Sequence, residues 1–541
     1  MKDLNDKNKL SINMQIKIFF LRFYIQFVII LYSFFINWFS ANIGVMPIDT
    51  FGFFDTGYSI LIGKLPMRDF WSFSGIVVDY FQSIFFWLFG LNWSSYIFHA
   101  SSINVLATLS FYYFLKIYNL NNKLILILCI SFATLCYPVS GTPYHYLHSY
   151  IFSLISILFF LIAVKKENNL FWFVLPFIFF LSFFSMQTPS VYIITLLTIS
   201  SLFYFFYKKK IKNFKYFCLG IFFSFLLFII FLLLSNTGFT NLLYEYFLFP
   251  ITIGKGRLLS DSTAYVKLFD QLNFKRIFGD FKFINIYYFI LLFITLKNLK
   301  KKNNELFLLN FTILTSTFLF FFNQLNQANQ IYIFSLLPIL ASTIIINLST
   351  INNTSKKNII YFMIVILLFS TLKYHFRYNV DRKFLDIENL NKNLAVDGKL
   401  IDAKFENLKW ISPNFKNPKD EIDLINTAIK ILKSDGRKKS IVTNYQLFSV
   451  ILEQDLNIIN KWYLWDNNTH PTENHKYYWF YKKFINENIN RNKVEVIYIL
   501  GAQNKIALKS IKNYFDNICF KDYIIVENKF SYHEIVNCKN K

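Results

Sequence analysis

The chain has 541 residues, 55% of them hydrophobic and 21% aromatic, and its 56 Lys and Arg against 32 Asp and Glu give a formal charge of +24. Uncharged apolar runs close to the roughly 20 residues that cross a bilayer recur along it, which excludes an ordinary soluble enzyme and predicts a polytopic membrane protein. The lysines fall in short clusters between these runs, with no basic stripe and no nucleic-acid motif, so the charge reads as a topology signal and a nucleic-acid partner is excluded.

Residues 1–17, MKDLNDKNKLSINMQIK, are polar, and the apolar run after them is too long for a cleaved signal peptide; they read as a cytoplasmic N-terminus. Hydropathy places spans near 18–40, 94–115, 124–138, 150–164, 170–185, 190–207, 216–235, 283–296, 306–322, 331–349 and 358–372, eleven in all. Whether residues 73–90 add a twelfth is decided by the bias of Lys and Arg toward cytoplasmic loops. If they do not cross, nineteen of these charges lie inside and eight outside; if they do, ten lie inside and seventeen outside. The first arrangement is expected, with 73–90 a helix on the outer membrane surface. Asp79, mid-segment, fits it too, because an acid at the centre of a lipid-exposed span costs about 2.5–3.5 kcal/mol.

The loop 41–93 is then extracytoplasmic and carries Asp55, Asp69 and Asp79. Asp55 opens a predicted helix, TGYSILIGKL, and has two readings: an N-cap for that helix, or a carboxylate placed to take a proton from an acceptor hydroxyl. Asp69, in PMRDFW, pairs with Arg68, caps the next helix or supports Asp55. Asp79 is expected on the water-facing side of the surface helix. His145 and His148, in VSGTPYHYLHSY, are candidate metal or acceptor contacts, or solvated interfacial histidines. The loop 236–282 holds GKGRLL, where Lys255 and Arg257 between glycines could grip a phosphate or touch anionic lipid headgroups. Tryptophan and tyrosine at the loop edges match an interfacial aromatic belt.

After residue 374 the composition becomes that of a soluble protein with alternating helix and strand patterns: DEIDLINTAIKILKSDG, SIVTNY, VEVIYILG, NKIALKSIKNYF and YIIVENKFSYHEIV. The expected architecture is an all-α polytopic membrane domain over 18–372, followed by a C-terminal extracytoplasmic α/β domain over 374–541. Cys519 and Cys538 lie symmetrically about Asn528 and Lys529, so a two-residue hairpin turn would set them opposite each other; a disulfide in an oxidising compartment and two free thiols both remain open. Cys129, Cys136 and Cys218 read as packing residues in spans, and no spacing resembles a zinc site.

The order of a first span, a loop with an early Asp, G-x-x-P-x-R-D-F, an apolar surface helix ending in LFG and a second span resembles the GT-C superfamily of membrane glycosyltransferases, in particular the aminoarabinose and protein O-mannosyl transferases and their bacterial relatives. The resemblance implies a GT-C-like membrane domain and a polyprenyl-phosphate sugar donor used at the extracytoplasmic face. It also implies a glycolipid, polysaccharide or protein acceptor, a multi-pass inner-membrane location and a catalytic first-loop aspartate at Asp55, assisted by Asp69. The loop 141–150 stands where relatives often carry a second acid and offers His145 and His148 instead. SMQTPS has Met186 and Gln187 where a lysine is frequent. NQLNQANQIYIFSLLP keeps Tyr332 and Pro338 of a K-x-x-x-x-Y-I-L-P-type segment without its lysine. The donor phosphate ligands are therefore expected at Lys255 and Arg257, and a divalent cation is left open. The alternatives are a lipid-linked saccharide flippase, whose sites would lie near the bilayer midplane, and a polysaccharide polymerase or ligase.

Overall fold

The computed structural model describes residues 23–259, 273–298, 304–326, 333–350, 356–381, 387–501, 504–515 and 518–537. Tyr332 and Cys538 lie outside them, as does the side chain of Arg257. The helices run in the order α1 Phe23–Ser40, α2 Pro47–Thr50, α3 Phe54–Leu61, α4 Ile76–Phe89, α5 Trp93–Ile117, α6 Asn122–Cys136, α7 His145–Lys166 and α8 Asn169–Ser185. They continue as α9 Gln187–Tyr207, α10 Ile211–Ser235, α11 Phe249–Leu259, α12 Lys282–Asn298, α13 Asn304–Asn326, α14 Leu336–Ser349 and α15 Lys356–Tyr374. Asparagine side chains start several of them. Asn92 accepts from the Ser95 N–H and Asn121 from the Leu124 N–H, each satisfying a donor that the first turn leaves open.

The described part of every predicted span falls on a helix, but only six stretches among the described residues are both long and apolar enough to cross a membrane: α1, α7, α9, α10, α13 and Lys356–Val380. The others are shorter or more polar. α7 is the central post, buried almost throughout, whereas α10 shows Phe222, Phe225, Leu227, Leu233 and Leu234 on its outside. An apolar outer surface of this kind needs lipid around it.

α4 covers 14 residues, about 21 Å at 1.5 Å per residue, which is short of a bilayer core. Its exposed side chains are apolar, Ile84, Trp87, Leu88 and Phe89, while Asp79, Gln82 and Ser83 are buried. The expectation that Asp79 faces water is therefore wrong, because the rest of the protein covers the polar face of this helix. α4 begins at Gly75, whose φ of +79° suits glycine, and a Cβ there would lie 2.5 Å from the Phe53 ring.

The C-terminal part holds a two-stranded ribbon, β1 Val396–Asp397 with β2 Lys409–Trp410, and a sheet of β3 Lys439–Thr443, β4 Val496–Leu500, β5 Ile518–Val526 and β6 Phe530–Asn537 in the order β3-β4-β6-β5. β3 and β4 are parallel and joined through α17 Phe448–Leu452 and α18 Tyr478–Arg491; β6 runs antiparallel to β4 and to β5. A parallel pair needs such a crossover. α16 Pro418–Ser434 precedes β3, and α19 Asn504–Asn513 joins β4 to the β5–β6 hairpin. The hairpin register differs from the symmetric one expected: Cys519 pairs with Val536, two residues off, because the turn holds three residues, 527–529, and a bulge between Ile524 and Val526 adds one more. Cys519 is disulfide-bonded, while Cys129, Cys136 and Cys218 are free thiols.

The first loop, 41–93, does not stand apart from this tail. The Lys409 N–H donates to the Asn42 carbonyl at 2.8 Å, and the Gly44 and Val45 N–H groups donate to Lys409 and Ile411 at 2.9 and 2.8 Å, so the loop adds a strand to β2. Further on, the Trp71 N–H donates to Ile459 at 2.7 Å. Between these ties Phe51 stacks on Trp410, Phe54 on Phe405, and Trp71 meets Tyr481 edge to face. Each buried aromatic of this kind stabilises the seam by roughly 1.5–3 kcal/mol.

Candidate functional site

The polar groups of the first loop collect along that seam. Asp55 is the second residue of α3 and does not cap it; both its oxygens point into the tail, where they accept from the Ser449 and Val450 N–H groups at 3.1 and 3.0 Å. These are orphan donors at the start of α17, so Asp55 caps a helix 394 residues away. Its side chain is fully buried, and burial pushes its carboxyl up to about 7 against the pull of the backbone donors. An acceptor hydroxyl has no route to it in this arrangement.

Asp79 is also fully buried, as is its partner Lys461 from the tail. The Lys461 ammonium pairs with one Asp79 oxygen and donates to the Ser74 carbonyl at 2.8 Å, and the Thr56 hydroxyl donates to the other Asp79 oxygen at 2.6 Å. Burial raises Asp79 to about 6, opposed by Lys461. Glu245, from the π-helical turn Leu242–Leu248, stands close enough to Lys461 to feel its charge. It accepts from the Ser72 N–H at 2.9 Å through one oxygen, and the other is buried without a partner. Burial drives its carboxyl well above the usual carboxylate range, opposed by the Ser72 N–H and the nearby Lys461 charge.

Asp69 lies elsewhere on the seam. One oxygen accepts from the Leu65 N–H and Arg68 Nε, both at 2.8 Å, and the other from Arg491 of α18 at 2.8 Å. It clamps the loop to the tail and shares no hydrogen-bond partner with Asp55.

The two histidines part company. His148 is buried with its Nε2 3.0 Å from His99 Nε2 and its Nδ1 2.8 Å from the Tyr144 carbonyl. Since a carbonyl only accepts, His148 Nδ1 carries the proton, and His99 Nδ1 lies 3.1 Å from the Gln82 side-chain carbonyl oxygen. Both His148 nitrogens are engaged here, so a metal or acceptor contact at this ring would first have to displace one of these partners. His145 packs its ring against Trp462, Phe53 and Tyr144. Among the described residues no three His, Cys, Asp or Glu side chains gather as a group that could hold a metal ion.

The GKGRLL segment is not a glycine turn. It lies in α11, with Lys255 exposed, and α11 docks through Phe249 on Trp71 and Thr252 on His475.

One acid of the first loop went unnoticed in the sequence reading. Asp49 in α2 is half-buried, and the Tyr144 hydroxyl donates to it over a long 3.5 Å. The carbonyl just before it, on Ile48, accepts from the Trp462 indole at 3.0 Å. Met46, Pro47 and Ile48 form one wall of a cavity of about 270 Å³ whose other walls belong to the tail, among them Thr443, Tyr445, Tyr463 and Leu500. The signal that could have found Asp49 is simple, since it is the first acid after the first span. The fuller helical pattern behind Asp55 drew attention from it.

No protein-family model matches the chain, and no curated protein matches it. Among solved structures it is similar to the crystal structure of the Archaeoglobus fulgidus oligosaccharyltransferase tethered with an acceptor peptide containing the NVT sequon. The identity is 11% over 96% of this chain and 74% of that one, with a TM-score of 0.44. A likeness this distant carries no argument about the chemistry.

Proposed function

We propose that the protein is an integral-membrane glycosyltransferase that moves a sugar from a polyprenyl-phosphate donor to an acceptor hydroxyl at the extracytoplasmic face. The observation that carries this reading is the seam itself: the loop that bears the G-x-x-P-x-R-D-F pattern and the half-buried Asp49 packs on the C-terminal tail and encloses a cavity with it, next to an apolar helix bundle. Asp49 is the general base. It takes the proton as the acceptor oxygen attacks the anomeric carbon, the bond from that carbon to the phosphate oxygen breaks, and the electron pair leaves with the polyprenyl phosphate, with inversion. Asp55 and Asp69 act as positioning residues that fix the loop on the tail. Lys255 and Arg257 are proposed to meet the donor phosphate. No step is assigned to a metal ion.

Removing a general base costs about 10²–10⁴ in rate. Asp49→Asn should therefore lose transfer from a polyprenyl-phosphate sugar by at least about a hundredfold, with membrane insertion and thermal midpoint unchanged. Near-normal turnover in that variant would remove Asp49 from the mechanism. Asp55→Asn is the companion, expected to lower the thermal midpoint as well as the rate.

A further inference from the structure

We propose that the cavity at the carboxyl ends of β3 and β4 is a saccharide pocket that holds one sugar ring of the acceptor. This deepens the transferase reading and rests on it for the ligand class. Ligands of open α/β sheets bind outside the carboxyl ends of parallel strands, and Thr443 and Leu500, the last residues of the two parallel strands, open onto this space. At about 270 Å³ it lies just under the roughly 300 Å³ at which pockets for larger ligands begin, which suits a single ring.

The lining has the chemistry a sugar needs. Tyr463 and Trp465 stand side by side, ring centroids 6.1 Å apart and planes 35° from each other, as an angled aromatic wall for the C–H face of a pyranose. Asn414 donates through its amide nitrogen to the Tyr445 hydroxyl at 3.1 Å, which leaves its carbonyl oxygen to accept from a sugar hydroxyl. Tyr445 in turn donates to buried Glu421 at 2.7 Å, so the polar side of the pocket is held in place before a ligand arrives. Lys529 lies exposed at the rim over the Phe415 ring, 4.5 Å from its centroid, and supplies a donor or a partner for an acidic substituent. The opposite wall is Met46, Pro47 and Ile48, the residues that lead into Asp49 in the chain.

The test is saturation-transfer difference NMR on the full-length protein in nanodiscs with glucose, N-acetylglucosamine and glucuronate as probes. Ring protons of at least one sugar should receive saturation, and Trp465→Ala and Asn414→Leu should each weaken that signal roughly tenfold, as loss of an anchoring contact does, at an unchanged thermal midpoint. If Trp465→Ala lowers the midpoint, Ala507→Met, which fills the cavity from α19, should abolish the signal in its place. No transfer to any of the three sugars, or transfer that survives both filling and wall variants, overturns the proposal. The readout is binding: sugar held here by a chain inactive in transfer keeps the pocket and sinks the transferase reading, whereas transfer without sugar in this cavity sinks the pocket alone.

Discussion

Asp79 and Lys461 form an ion pair that water does not reach, and each is tied down by a neighbour, the Thr56 hydroxyl on one side and the Ser74 carbonyl on the other. Such a pair adds little net stability over apolar residues of the same shape, but removing one member strands the other charge at a cost of roughly 3–5 kcal/mol. Lys461→Met should therefore lower the thermal midpoint sharply and expose the tail to protease, while Asp79→Leu combined with Lys461→Met should recover most of the loss. Equal damage in the single and double variants, measured by unfolding in detergent, would show that the pair's charge is not what matters. Neither partner could be read from the sequence. Taken alone, the helix puts Asp79 in water, and Lys461 sits in a stretch, IINKWYLW, with no motif to mark it.

The capping of α17 by Asp55 joins two elements that would otherwise only touch. Losing such a cap typically costs about 1 kcal/mol, and its pH dependence follows from the raised carboxyl. Burial lifts Asp55 from its ordinary value of 3.8 to about 7 in the folded protein, so between those limits the folded state binds more protons than the unfolded one, and stability falls as pH rises through the window. Asp79, raised to about 6, acts in the same direction. The contact of Asp55 with α17 should accordingly be firmer at pH 5 than at pH 8, seen as higher protection of the Ser449 and Val450 amides once the intrinsic pH dependence of exchange is divided out. A seam equally firm at both, or firmer at pH 8, would mean the backbone donors outweigh burial and hold Asp55 ionised throughout. Much at this scale was legible: helices lie at each predicted span, and β3, β4, α16 and α19 fall where the alternation of apolar residues put them. What escaped was pairing at a distance. A cap between residues 55 and 450 leaves no spacing to find, the strand added by Asn42 to Val45 is too short to show a period, and the hairpin register slipped because a bulge has no signature in composition.

Across the whole molecule the helix bundle and the tail behave as one body through the first loop. Aromatic contacts, two strand-like ties, the Asp69–Arg491 clamp and the Asp79–Lys461 pair all cross the same boundary. A chain ending at Val380 would leave Asp55 and Asp79 without their partners on an otherwise apolar surface. It should be recovered aggregated or degraded, whereas the full chain purifies as a single species; a monodisperse, stable truncated form would show that the bundle stands without its tail.

The order of synthesis adds a constraint of its own. Asp55 leaves the ribosome 394 residues ahead of the Ser449 amide it needs, which at translation rates of roughly 5–20 residues per second is a wait of about 20–80 s. During that time the side chains of the first loop that pack on the tail, Asp55, Asp69 and Trp71 among them, lack their partners there. The last third of the chain thus acts as an internal folding partner for the first sixth, and any stop codon or stalled ribosome in between delivers a nascent product that cellular quality control can recognise by that open loop.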